Sequence, residues 1–451
     1  MNISLLIMYM VMLLPLFSAL FYFSNFIEQA SKVGSIITVI LSIAILTLSQ
    51  GTYSFFDINQ VNRVLIISVS SVYSLAIFFA SKYHSNLERV EHLKLHFSLM
   101  GVFTFTMLFT LLINNFGLMW IGIEGTTASS ALLLIIERQK NQIEAAWRYV
   151  LIVSTGLSIA IISIILVYLY YNTLDASLII SKHHPDSLLL SVAGIAALIG
   201  IGTKVGIFPM HTWLPDAHGE APSEISAMFS GILLPVAAYV LYEFYEATYT
   251  PIVTESFFIF IFLTLLFVAL IMASQKNIKR MFAYSTMENM AMITLGLILG
   301  TYGLIGALLI ILAHAFGKSS AFFSSGNILG TYGTKDMNAI RGVRDRLPST
   351  AISLLGSSLI VTGAPPFGVF IGEFFIIYQL FIGKNYGLAA SIIVFLFIIS
   401  VSVMYKVSTM VFDGNDQSHE RLNLNVTQKA TALIAFALSF LVTFIFLGGL
   451  L

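Results

Sequence analysis

The chain contains no cysteine. That absence excludes disulfides, thiolate catalysis and any ligation of an iron–sulfur or nickel–iron centre by this polypeptide, so redox chemistry associated with it must reside on another subunit. Charge is also scarce. Asp, Glu, Lys and Arg make up 10% of the 451 residues, against about 25% in a soluble domain. Basic and acidic residues balance at 22 each, which leaves no electrostatic footprint for nucleic acid. No phosphate-binding glycine loop stands in a strand–helix context, and the residues present give no nucleophile triad. What fills the chain is apolar: 58% of the residues are hydrophobic and the mean hydropathy is +0.92. This is the composition of a polytopic membrane protein.

Apolar runs of about 20 residues are long enough to span a bilayer. Fourteen can be counted: 3–24, 32–50, 61–81, 95–114, 115–136, 147–171, 188–210, 222–245, 255–274, 286–300, 302–326, 348–382, 386–411 and 429–450. The first has no basic flank and no small-residue cleavage site, so it reads as a retained span. Sixteen of the 22 basic residues fall between an odd-numbered span and the even-numbered span after it, or at the first two residues of that even-numbered span. The other side receives Arg63, Lys182 and Lys384. This bias places both termini outside a multi-pass cell (inner) membrane. The remaining three, Lys204, Lys318 and Lys406, lie within spans.

Lys204 is hemmed by Gly200, Gly202, Gly206 and Pro209. A lysine at membrane depth costs about 2.5–3.5 kcal/mol on insertion scales, and the surrounding glycines and proline interrupt its helix. Broken helices at mid-membrane commonly hold ion or substrate sites. Span twelve repeats the theme in GAPPFGVF (363–370), followed by Gly372 and Glu373. The expected fold is therefore all-α: a polytopic membrane helical bundle of about 14 transmembrane helices. Spans 4–8 and 9–13 form inverted repeats with broken helices in spans 7 and 12. In residues, one transmembrane domain, 1–451, comprises 1–94 (spans 1–3), 95–247, 255–412 and a last span at 429–450.

Glu124, Lys204, His314, Lys318, Glu373 and Lys406 are the ionisable groups at membrane depth. His314 and Lys318, four residues apart, share a helical face. A carboxylate near Lys204 keeps the ammonium protonated; its neutralisation or withdrawal releases the proton, so such groups titrate together. The competing reading is structural, since buried pairs also join helices and Lys406 is near enough to a helix end to snorkel. His211, Asp216 and His218, with Glu220 and Glu224, lie in one loop without zinc-ligand spacing, and read as the lining of a channel mouth. Residues 413–420 (DGNDQSHE) match only a fragment of a calcium loop, and His183-His184 forms no cluster. No cofactor or metal is expected.

The run Gly202 to Leu234, GTKVGIFPMHTWLPDAHGEAPSEISAMFSGILL, resembles the signature of the antiporter-like membrane subunits shared by respiratory complex I, Mrp-type sodium/proton antiporters and energy-converting hydrogenases. WIGIEGTT (120–127), NIKRMFAYSTMENM (277–290), HAFGKSSAFFSSGNI (314–328) and APPFGVFIGEF (364–374) extend the likeness. Their wording is nearest to the hydrogenase-4 component F type, with the M-type complex I subunit next. The resemblance implies that Glu124 modulates Lys204, that His314 and Lys318 form a central relay, and that Glu373 ends the second half-channel. It also implies neighbouring membrane subunits in the bilayer, a soluble redox arm on the inner side, and H+ (or Na+) as the transported ion, with no catalysis by the chain itself. M-type subunits carry a second lysine where this chain has Pro235. The long lateral helix of the L-type subunit is not expected. The alternatives are an Mrp-type sodium/proton antiporter subunit, a membrane partner in inorganic-carbon uptake, and a scaffold whose buried charges are structural.

Overall fold

A computed structural model describes residues 3–83, 90–182, 186–414 and 424–449. The chain there is helical almost throughout. Its principal helices are α1 (Ile3–Leu13), α2 (Ile27–Ala44), α3 (Gln60–Tyr83), α4 (Val90–Leu112), α5 (Phe116–Leu134), α6 (Lys140–Tyr171), α7 (Leu188–Val205), α8 (Trp213–Glu220), α9 (Ser223–Met228) and α10 (Leu234–Ala247). They continue with α11 (Pro251–Met272), α12 (Ile278–Ile298), α13 (Thr301–Tyr332), α14 (Pro348–Val361), α15 (Gly368–Ile382), α16 (Tyr386–Phe412) and α17 (Val426–Leu447). Among the described residues eleven helical segments are long and apolar enough to cross a membrane. The broken pair α14/α15 and the more polar α5 and α12 complete the expected series. The protein is a polytopic helical membrane protein. Leu151, Ile162 and Leu169 on α6, and Ile393, Phe397 and Val401 on α16, are exposed, as lipid-facing residues should be.

Several boundaries differ from the expectation. Span ten starts at Ile278, eight residues before the expected 286, because Lys279 and Arg280 sit inside its first turn. Span seven stops at Val205, where Gly206 takes a left-handed φ of +88° and returns its N–H to the Gly202 carbonyl. The loop after α2 holds a small antiparallel hairpin, β1 (Gly51–Tyr53) and β2 (Phe56–Ile58), pairing Gly51 with Ile58 and Tyr53 with Phe56. Residues 415–420 of the DGNDQSHE stretch, and His183-His184, lie outside the described residues.

The chain gathers into two compact units. The first comprises Met1–Ile77, Asn86–Trp213 and Ile232–Phe260; the second comprises Phe78–Ser85, Leu214–Gly231 and Ile261–Leu451. In the first unit, α6 and α7 approach closely because glycines face the contact. A Cβ on Gly200 would meet the Ala160 backbone, and one on Gly156 would meet Thr203. In the second unit, α13 is the central post, buried on every side from Gly306 to Ile328. It touches α15 through Gly306 and Gly372, where a Cβ on either would strike the other's carbonyl oxygen.

Candidate functional site

In the first unit, α5 turns one polar stripe toward α6 and α7: Trp120, Glu124, Thr127 and Ser130, three or four residues apart. Trp120 Nε1 donates to the Leu157 carbonyl at 2.8 Å, and Glu124 Oε1 accepts from Ser154 Oγ at 2.7 Å. Thr127 and Ser130 meet the lysine and its neighbour. Lys204, fully buried, donates to Thr127 Oγ1 at 2.9 Å and to Tyr149 Oη at 2.5 Å. The Tyr149 hydroxyl also pairs with Ser130 Oγ at 2.7 Å. The ammonium lies 4.8 Å from the Tyr149 ring centroid, a cation–π distance.

Lys204 is one residue from the end of α7, where the helix dipole favours a cation. The Thr203 carbonyl, left without an intrahelical partner by the break, accepts from Trp213 Nε1 at 2.8 Å. Glu124 makes no direct ion pair with Lys204 among the described residues. Its charge acts on the lysine from a distance while Ser154 holds it.

In the second unit, His314 and Lys318 are fully buried on α13, one turn apart. His314 Nε2 lies 3.1 Å from the Ser230 carbonyl, and Lys318 Nζ donates to the Phe282 carbonyl at 3.0 Å. Ser230 belongs to a π-helical turn, Phe229–Leu233. In a π-helix its carbonyl would accept from the N–H five residues on, but that residue is Pro235, which has none. Pro235 thus leaves the Ser230 carbonyl for the histidine.

Glu288, in the middle of α12, was not singled out from the sequence. It is buried, accepts from Ser285 Oγ at 3.4 Å, and is under the influence of the Lys318 charge. The misplaced start of span ten hid it by putting it near a membrane surface; the YSTMEN motif was the available signal. Glu373 is buried on α15 with its carboxylate against Gly363 in the break between α14 and α15. Lys406 does not join these groups. It is half-buried and donates to the Gln275 carbonyl beyond the end of α11.

The residues expected in one loop separate, and Asp216, His218 and Glu220 lie on helix α8 rather than in a loop. His211 is buried beside the Phe208 ring, with 5.5 Å between centroids. Asp216 pairs with Arg280, and Glu220 with Lys335 at 3.0 Å. His218 is fully buried between Phe229 and Phe322, and neither ring nitrogen finds a hydrogen-bond partner among the described residues. Sequence reasoning also missed Glu243, a buried carboxylate on α10 that accepts from Asn59 Nδ2 at 3.2 Å.

The family model for NADH:quinone oxidoreductase/Mrp antiporter, TM, matches residues 113–405, which hold Glu124, Lys204, Glu288, His314, Lys318 and Glu373. The chain belongs to this family. The hydrogenase-4 component F homolog of Methylacidiphilum infernorum is 32% identical over 351 residues, 73% of each chain. Hydrogenase-4 component B of Escherichia coli is 29% identical over 354 residues, 74% of this chain and 51% of that one. The match therefore spans about half of that longer relative. Among solved structures, a chain of the membrane-bound sulfane sulfur reductase (MBS), an archaeal respiratory membrane complex, shares the fold with a TM-score of 0.88 at 21% identity. The likeness covers 100% of this chain and 96% of that one. The resemblance read from the motifs therefore holds, and this is an antiporter-like membrane subunit.

Proposed function

We propose that this protein is the proton-translocating, antiporter-like subunit of a redox-driven membrane complex of the hydrogenase or NADH/quinone oxidoreductase type. It moves ions and leaves electron transfer to its partners. The observation that carries this reading is Lys204: a fully buried lysine at the end of a broken helix, held by two hydroxyls, with Glu124 acting on it from α5.

Hydroxyls accept from an ammonium and, by rotating, donate to a neutral amine. The pocket therefore suits both protonation states of Lys204 without rebuilding. When Glu124 is charged, the ammonium is favoured; when Glu124 is neutralised, the lysine lets its proton go. In the second unit His314, Lys318 and Glu373 pass protons in the same manner, and the segment with His211, Asp216 and His218 lines an inner channel mouth. Lys406, at the helix end, serves the inner surface of the second half-path. The two five-span segments, 95–247 and 255–412, are inverted repeats by this reading. Both termini face outside, other membrane subunits lie alongside, and a soluble arm docks on the inner side.

In the intact complex, Lys204→Ala and Glu124→Ala are expected to abolish proton pumping coupled to electron transfer while leaving subunit composition and electron transfer unchanged. Normal pumping in both variants would overturn the proposal. The Mrp branch of the family supports a second reading, a cation/proton antiporter driven by gradients alone. Sodium/proton exchange in vesicles without any electron donor would select it.

A further inference from the structure

We propose that Glu288 is a proton carrier linking Lys318 to Glu373 within the second unit; this rests on the proton-translocating reading above. Phe282, Ser285 and Glu288 are spaced three apart along α12, so each lies about 4.5 Å further along the axis than the last. Lys318 donates to the first through its carbonyl, and Ser285 donates to Glu288 Oε2. Helical side chains tilt toward the N-terminus, which brings the Glu288 carboxylate back toward the level of the lysine.

The other end of the link is fixed by the break. Asn289 Nδ2 donates to the Val361 carbonyl at 3.1 Å, tying α12 to the last residue of α14. Two residues on, Gly363 turns the chain at a φ of +64°, and the space that its missing side chain leaves is taken by the Glu373 carboxylate. The Lys318 charge acts on Glu288, and the Glu288 charge acts in turn on Glu373. The groups that this carboxylate feels or acts on are thus Lys318 from α13, Glu373 from α15, and Ser285 from its own helix.

The steps balance. An N–H bond of the Lys318 ammonium breaks as an O–H bond forms on Glu288, and two opposite charges become a neutral amine and a neutral acid. Inside a low-dielectric bundle the two arrangements can be close in free energy, because desolvation of the charges offsets their attraction. The Glu288 O–H then breaks as one forms on Glu373. Glu288 returns to its charged form, and Lys318 takes a new proton from the supplying side.

The test uses the whole complex, purified in mild detergent and reconstituted into vesicles enclosing a pH-sensitive dye. A proton gradient is imposed under a potassium–valinomycin clamp. Glu288→Gln is expected to lower proton flux about tenfold or more, and Glu288→Asp to stay within about threefold of wild type. Subunit composition should be unchanged, and the pH-dependent infrared band of a protonated carboxyl should be lost in the Gln variant. Flux within about twofold of wild type in Glu288→Gln, with Lys204→Ala blocked, would overturn this inference and leave the broader reading standing. Wild-type flux in both variants would sink the broader reading. Should the Gln variant fail to assemble, the Asp variant decides: assembly with conduction supports the carrier role. Failure to assemble, or assembly without conduction, overturns it.

Discussion

The two units bury a lysine in different company. Lys204 in the first donates to the hydroxyls of Thr127 and Tyr149, whereas Lys318 in the second donates to the backbone carbonyl of Phe282. A hydroxyl has a hydrogen to return and a carbonyl does not. When Lys204 is neutral, Tyr149 or Thr127 can turn and donate to the amine. When Lys318 is neutral, its carbonyl partner offers nothing, and a protonated Glu288 is a donor within electrostatic reach. The first pocket is thus adapted to both states by itself, and the second needs a titrating neighbour. What the units share is steric. Each has a glycine-lined helix contact beside its break, Gly156 and Gly200 in one and Gly306 and Gly372 in the other.

The shared feature gives the largest expected effect. Gly200→Leu and Gly306→Leu should each destabilise the protein by about 1–3 kcal/mol or more, because the added side chain meets backbone. Thermal unfolding in detergent reads this directly; if only one substitution mattered, the likeness of the two contacts would be broken. The difference between the pockets comes next. Tyr149→Phe, which deletes a hydroxyl bonded to a charged group, should lower proton flux about tenfold, while Ser285→Ala, deleting a long 3.4 Å bond, should change it by less than about twofold. Equal losses in the two variants would show that hydroxyls matter alike in both units.

The smallest effect concerns Asp57 in the hairpin of the first unit. Burial holds this carboxyl above its usual range, with the Asp175 charge adding to it and a hydrogen bond from Asn59 opposing. A raised value means stability present under acid conditions and lost as pH rises through the folded-state value. Asp57→Asn should therefore melt at a higher temperature than wild type at neutral pH. The gap should close below the ordinary carboxylate range. A difference independent of pH would mean that ionisation is not the cause.

Much of this was legible before any coordinates. Hydropathy alone located the spans, because a segment that meets lipid has no cheaper composition. The breaks after Lys204 and Val361 followed from Gly206, Pro209, Gly363, Pro365 and Pro366. Glu124, Lys204, His314, Lys318 and Glu373 stood out as charge within apolar runs. What stayed hidden depended on neighbours distant in sequence. Tyr149 is an unremarked aromatic until α6 is laid against α7. Glu288 looked superficial because Lys279 and Arg280 seemed too polar for a span, yet Lys279 is buried and donates to the Ala221 carbonyl. The hairpin at 51–58 carries no pattern that separates it from a loop.

Residues 214–231 precede α11 in the chain but pack with the helices on its far side in sequence. Asp216 waits for Arg280, Glu220 for Lys335, and Ser223 fits against Gly326. During synthesis this stretch leaves the ribosome well before any of those partners, so it must be held unsatisfied until the later helices emerge. For the same reason a gene cut between α10 and α11 would strand it with the wrong fragment. Two separately made halves would have to trade this segment before either was complete.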